Sequence, residues 1–301
     1  MLKVLVFGAA GFVGRNLVQN LSKGEHELVA SDMVEDPFRG AVKYIKLDLL
    51  DRSRVLEVAK GYDVIVHFAA SPLTYSLEAP LENMRVNVEG TLNILEAARA
   101  HRVRKVIYSS ASSVVGVVQY NPVDEMHPCT PKTPYGVAKR AVEDYIRVYG
   151  ELYGLHYLIF RFFNLYGPWQ GYAGGGLIPS VYRTLKEGRE FQVFGDGSNT
   201  RDFIYVGDVA EFTSLAIKKD TVDTVINLGT GVGTSIIQLI NLGAKILNVE
   251  PKVVHKPSRP GEIGNFFADT KKLREVFGDR HFTPLEDGLR KTFDWLGVHA
   301  S

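Results

Sequence analysis

Tyr135 and Lys139 stand four residues apart in TPYGVAKRAVEDY, a stretch with helical patterning. Residues i and i+4 share one helix face, so the phenol and the ammonium can meet. A phenol ionises near ~10, and a cation within roughly 4–6 Å favours the phenolate. Such a tyrosine could relay a proton to or from an alcohol. Spacing alone does not select the pair, because Tyr182 and Lys186 repeat it in YRTLK. The surroundings separate them. Tyr135 follows Thr133 and Pro134, a helix cap and a first-turn proline, soon after the strand-like KVIYSS. That places it near the carboxyl ends of a sheet, where ligands bind in open α/β folds. Tyr182 has no such setting and reads as part of a surface pair.

A second constellation lies at the start of the chain. In VLVFGAAGFVGRNLV, Gly8, Gly11 and Gly14 follow a strand and open a helix. A tight turn, close approach of a pyrophosphate and close helix packing each require a missing Cβ, and a helix N-terminus attracts phosphate charge. Asp32 ends the next strand, 18 residues beyond Gly14, where a carboxylate accepts hydrogen bonds from an adenosine ribose. Its charge favours NAD over NADP, while Arg15 and Arg39 are cations that could meet a phosphate there. No Gly-Lys-Ser/Thr follows the glycines, which excludes a nucleotide triphosphate loop.

These residues need a scaffold. KVLVF, HELVAS, VKYIKL, DVIVHFAA and KVIYSS are strand-like and alternate with helical stretches. Such alternation predicts α/β architecture, a doubly wound parallel sheet with helices on both faces. After residue 167 the texture shifts to glycine-rich and turn-dense segments such as YGPWQGYAGGG and FGDGSN. The expected organisation is a dinucleotide-binding domain over 1–166 and a smaller, interleaved C-terminal α/β substrate region over 167–301, some of whose segments return to the first. With 45% hydrophobic and 23% charged residues the chain is globular, and a net charge of +1 argues against nucleic acid or a membrane surface as partner. The apolar N-terminus breaks at glycines without a cleavage signal. No run approaches the ~18 apolar residues of a membrane span. The lone Cys129 rules out an internal disulfide framework, and the eight histidines lie far apart, so no metal site is expected. A cytoplasmic enzyme is the default.

GAAGFVG, LDLLD, HFAAS, YSSASSVVG, PYGVAK and RFFNLYGP occur in the order seen in extended short-chain dehydrogenases/reductases. Over nearly its full length the chain resembles their nucleotide-sugar epimerase branch, the UDP-glucose 4-epimerase-like proteins. The resemblance implies a Rossmann domain holding NAD and a homodimer built through the helices around 81–100 and 134–153. It implies Tyr135 and Lys139 as the catalytic pair, the lysine also holding the nicotinamide ribose. The remaining cofactor contacts it implies are Gly8, Gly11, Phe12, Val13 and Gly14, Asp32 at the ribose, and Asp48 and Leu49 at the adenine. Phe68, Ala69, Ala70, Asn87, Ser109, Ser110 and Phe162 complete that set.

One departure stands out: the family's Ser or Thr, third after the aromatic of IYSS, is Ala111 here. Ser110 and Ser112 flank it, or a water could take its place. At the substrate end, the resemblance implies Arg201 and Arg259 at a diphosphate, Asn164 donating to it, Glu262 on a ribose, Gln192 by the nucleobase and Ser112 at the sugar. Phe266 reads either as a buried core aromatic of NFFADT or, by the resemblance, as the pocket wall that decides whether an N-acetyl group fits. Ser112 and Ser113 occupy the places where dehydratases and decarboxylases of the family carry acids, which leaves hydride transfer and return. The expectation is an NAD-dependent epimerase, with UDP-glucose and UDP-galactose favoured. The alternatives are a nucleotide-sugar dehydrogenase/reductase, or a catalytically weak protein that binds NAD and nucleotide sugars.

Overall fold

The computed structural model describes residues 1–22, 24, 26–171, 176–220, 223–257 and 264–299. In chain order the elements are β1 (Lys3–Phe7), α1 (Phe12–Leu21), β2 (Glu27–Asp32), β3 (Lys43–Lys46), α2 (Arg52–Val58), β4 (Val64–His67), α3 (Leu73–Glu78), α4 (Pro80–Met84), α5 (Gly90–Ala100), β5 (Lys105–Ala111) and α6 (Pro134–Tyr153). Then follow β6 (His156–Phe162), β7 (Asn164–Tyr166), α7 (Leu177–Lys186), β8 (Glu190–Phe194), β9 (Thr200–Tyr205), α8 (Val206–Lys218), β10 (Thr224–Leu228), β11 (Gly233–Ser235), α9 (Ile236–Leu247), β12 (Lys252–Lys256), α10 (Lys271–Phe277) and α11 (Leu285–His299).

Seven strands form one sheet in the order β10-β6-β5-β4-β1-β2-β3, parallel from β6 through β3. The order reverses beside β1, the topological switch point of a Rossmann fold, where ligands bind. The expected doubly wound sheet is what forms. Its strands are near-continuous apolar runs because both faces are covered: Val4, Leu5, Val6, Val64, Ile65 and Val66 are all fully buried.

The chain divides into two compact units. The first comprises Met1–Val117, Pro128–Phe162 and Val209–Ile226; the second comprises Val118–His127, Phe163–Asp208 and Asn227–Ser301. The first has its core between the sheet and α2, α5 and α6, with Leu5, Phe7, Ile94, Leu95, Val142 and Ile146 at its centre. The second packs α7, α9 and α11 around Tyr166, Tyr182, Leu239, Leu289 and Phe293. Tyr182 therefore corrects the sequence reading. It is 6% exposed, with its ring 5.0 Å from that of Phe293, so it is a core residue of the second unit rather than half of a surface pair. The helical period that spaces it from Lys186 also turns it inward.

No helix among the described residues is long and apolar enough to cross a membrane. None of the described His, Cys, Asp and Glu residues gather into a group of three that could hold a metal.

Candidate active site

The glycine loop is built by steric exclusion. Gly8 has φ +79°, and a Cβ there would lie 2.2 Å from Ala69 N. A Cβ on Gly14 would fall 2.1 Å from Gly8 O, so α1 can sit this close to β1 only without one. Gly11 caps α1 without a side-chain hydrogen bond, and the first turn carries no acidic residue. The helix thus presents its leading N–H groups with no carboxylate of that turn beside them, an arrangement suited to pyrophosphate. Phe12 and Val13 form that first turn and are half-buried. Asp32 Oδ2 accepts from Ala10 N at 3.0 Å and Oδ1 from Met33 N at 2.8 Å, which ties the end of β2 to the glycine loop. Arg15 Nε donates to Ala10 O at 2.8 Å, whereas Arg39 is exposed. Cradle, uncapped helix and fixed carboxylate fit a dinucleotide.

The other expected cofactor residues line the same unit. Asp48 is exposed and accepts from Leu50 N at 2.9 Å; Leu49 is buried, its carbonyl held by Asn93 Nδ2 at 2.8 Å. Phe68 meets Phe162 edge-on at 5.8 Å, and Ala69 and Ala70 follow it. Asn87 lies in a π-helical turn, Arg85–Glu89, and both ends of its amide are used: Oδ1 accepts from Ser71 N at 2.8 Å and Nδ2 donates to Ser71 O at 3.0 Å. Its visible task is to hold the segment following Ala70.

At the exit of β5 the chemistry gathers. Thr133 Oγ1 accepts from Gly136 N at 3.1 Å and Pro134 occupies the first turn, so α6 begins as expected one residue before Tyr135. Lys139 is 1% exposed, and its Nζ donates to Ser109 O at 2.6 Å. That nitrogen lies 5.6 Å from the centre of the Tyr135 ring and 4.6 Å from that of Tyr108. Burial pushes the Tyr135 hydroxyl up to about 12 and the Lys139 ammonium down to about 7. The expected pull of lysine on phenol is not delivered by the protein alone, because the ammonium is itself desolvated.

Ser109 Oγ donates to His67 O at 3.2 Å. Ser110 is 2% exposed and gives its hydroxyl to Glu143 Oε1 at 2.6 Å, so it does not stand in for the hydroxyl missing at Ala111. Ser112 opens a 3-10 turn, half-buried like Ala111 and Ser113. The sequence reading missed Glu143, fully buried and gripped by Arg161 through Nε at 2.9 Å and Nη2 at 2.8 Å. Its position four after Lys139, on the face that also carries Val142 and Ile146, was the available signal.

In the second unit, Arg201 Nη1 donates to Thr200 O at 2.8 Å and to Gly264 O at 2.7 Å. Asn164 Nδ2 donates to Asp202 O at 3.3 Å, and Gln192 is exposed on β8. Phe266 bridges to Arg201 and is 7% exposed, its ring 5.1 Å from Phe163. Arg259 and Glu262 lie outside the described residues. Asp202, also missed, is fully buried and accepts from Thr230 N and Oγ1, Gly231 N and Ala268 N at 2.7–3.1 Å, fastening three segments of this unit together.

Comparison with known proteins agrees with this geometry. The chain is 33% identical to a UDP-glucose 4-epimerase of Mycolicibacterium smegmatis, over 98% of each chain. A solved UDP-N-acetylglucosamine 4-epimerase from Methanobrevibacter ruminantium, in complex with UDP-N-acetylmuramic acid, superposes with a TM-score of 0.91 at 29% identity, over 99% of this chain and 98% of that one. A Thermus thermophilus UDP-glucose 4-epimerase in complex with NAD superposes with a TM-score of 0.88 at 31% identity, over 99% of each chain. Residues 4–229 match the profile of the NAD dependent epimerase/dehydratase family, and with the dinucleotide cradle in place the chain belongs to that family, with NAD as its cofactor.

Proposed function

We propose that this protein is a nucleotide-sugar epimerase acting on UDP-glucose and UDP-galactose. The observation that carries the reading is the Tyr135–Lys139–Ser109 arrangement at the strand exit of the dinucleotide-binding unit. Beside it, Ser112 and Ser113 supply no acid for elimination or decarboxylation. Bound NAD supplies a reversible hydride acceptor and a positively charged ring. Tyr135 Oη takes the proton of the sugar hydroxyl and later returns it. Burial pushes its hydroxyl up to about 12, and positive charge beside it favours the phenolate. Lys139 holds the nicotinamide ribose and contributes part of that charge.

Arg201 and Arg259 meet the diphosphate as planar forks suited to phosphate oxygens, with Asn164 donating to it, Glu262 on the ribose, Gln192 at the base and Ser112 at the sugar. Phe266, backed by Phe163, excludes an N-acetyl group, whose overlap would cost at least ~1–3 kcal/mol. The protein acts as a homodimer. In the first unit Leu77, Leu81, Val137 and Leu152 are 62%, 73%, 55% and 67% exposed, and Met84, Val137 and Tyr145 line an apolar groove of about 700 Å³. Light scattering that gives a 33.4 kDa particle at micromolar concentration would refute the dimer.

The deciding experiment incubates the protein with a panel of UDP-, GDP- and dTDP-sugars and resolves the products by NMR. Interconversion of UDP-glucose and UDP-galactose without net nicotinamide reduction is expected. Stoichiometric use of exchangeable nicotinamide would make it a dehydrogenase or reductase. Binding without turnover would make it a weak relative, a reading favoured by Ala111 together with the commitment of Ser110 to Glu143. Higher kcat/KM on the N-acetylated pair would remove Phe266 as gatekeeper.

A further inference from the structure

Lys139 carries its charge in a place where few groups can stabilise it. Around it stand Tyr108 of β5, His67 of β4, and Tyr135 and Glu143 of its own helix, with Arg161 of β6 and Arg140 reaching Glu143. Glu143 favours the ammonium through space, but its oxygens are occupied by Arg161 and Ser110, with Arg140 3.5 Å away. His67 supplies no negative charge. Thr91 Oγ1 donates to Asn87 O at 2.6 Å, so His67 Nε2, 2.9 Å away, must donate to Thr91; burial keeps the ring neutral, and Nδ1 has no hydrogen-bond partner among the described residues. Among the described residues, Ser109 O accepts from the ammonium at 2.6 Å, and of the two rings beside it the face of Tyr108, at 4.6 Å, is nearer than that of Tyr135, at 5.6 Å.

We propose that the Tyr108 ring is a positioning residue for the catalytic lysine: its electron-rich face, 4.6 Å from Nζ, keeps Lys139 charged and aimed. The inference rests on the proposed role of Lys139. The ring rather than the hydroxyl does this, because the Tyr108 hydroxyl is buried with no hydrogen-bond partner among the described residues. Aromatic character at position 108 thus tunes the chemistry from inside the sheet, without touching substrate.

The test is carbon NMR of isotopically labelled lysine in the full-length protein with NAD bound, the Lys139 signal being assigned by its loss in Lys139→Arg. Tyr108→Phe should leave the titration midpoint of Lys139 in place. Tyr108→Leu removes the face and should lower the midpoint by about 0.5–1.5 pH units, with the basic limb of the kcat/KM profile moving down alongside it. Should the leucine variant not fold, pentafluorophenylalanine in place of Tyr108 keeps the shape, reverses the polarity of the face and should lower the midpoint likewise. An unchanged midpoint in whichever variant folds overturns the proposal. Lys139→Met separates the two levels: if it turns over normally, the catalytic reading fails whatever the NMR shows. If it is inactive while the midpoint does not move, only the role of Tyr108 fails.

Discussion

Glu143→Gln should damage the first unit far more than a change of one atom suggests. Glu143 is fully buried, Arg161 is 3% exposed, and they share two hydrogen bonds of 2.8–2.9 Å while Ser110 adds a third. The amide keeps the volume but removes the charge, and its NH2 must face an N–H of the guanidinium. Breaking a buried pair by changing one partner costs about 3–5 kcal/mol, since the guanidinium loses the carboxylate that faces it. At roughly 2–4 °C per kcal/mol for a body of this size, the midpoint should fall by about 6–20 °C. Arg140→Ala is the control. Its guanidinium is 32% exposed and reaches Glu143 only at 3.5 Å, so its loss should cost about 1 kcal/mol or less. Calorimetry of both variants, with the NAD-bound and NAD-free proteins scanned separately, reads the difference. A Glu143→Gln midpoint within about 2 °C of the parent would mean that the pair is solvated in solution, and the structural reasoning would be wrong.

Three further outcomes are expected. Burial beside Lys139 holds His67 down to about 3 from an ordinary 6.5, so the unfolded chain binds the extra proton between those values; stability is full above 6.5 and falls as pH drops toward 3. Urea midpoints at neutral and acidic pH should diverge less in His67→Asn than in the parent, and equal divergence would count against this. Ala111→Ser should raise turnover roughly 5–100-fold, the worth of a recovered ~1–3 kcal/mol hydrogen bond; an unchanged rate would mean that Ser112 or water already serves. Calorimetry should show NAD binding tighter than NADP, because the Asp32 carboxylate is fixed at the glycine loop, and equal affinities would pass the role to Arg15 or Arg39.

What was legible in the sequence is what local sterics dictate. Gly8 and Gly14 could be assigned because a Cβ at either would strike backbone, a requirement written into their spacing behind a strand. The start of α6 could be assigned because Thr133 and Pro134 make a cap and first turn by themselves. The sheet followed from the alternation of apolar runs with helices. Lys105, Glu143 and Asp202 have no local feature that sets them apart from surface charges, yet all three are buried. Lys105 donates to the carbonyls of Ala216 and Lys219, more than a hundred residues away, and burial takes it down to about 8. Partners so distant leave no local trace, and a charge is called exposed until its partner is known.

The serines after Tyr108 show the limit most sharply. Ser109, Ser110, Ser112 and Ser113 are one residue type within five positions, and strand alternation assigns faces to the first two but partners to none. Ser109 lends its carbonyl to the lysine, and Ser110 is bound to Glu143, 33 residues along the chain. The Ser113 oxygen is buried with no hydrogen bond. Which of them could replace the hydroxyl absent at Ala111 depends on whose hydrogen bonds are already made. The buried Arg161–Glu143 pair therefore reaches the chemistry without touching it. By holding the Ser110 hydroxyl it removes one adjacent substitute, and Ala111→Ser cycles with Ser112→Ala and with Ser113→Ala can measure whether either of the other two serves the substrate.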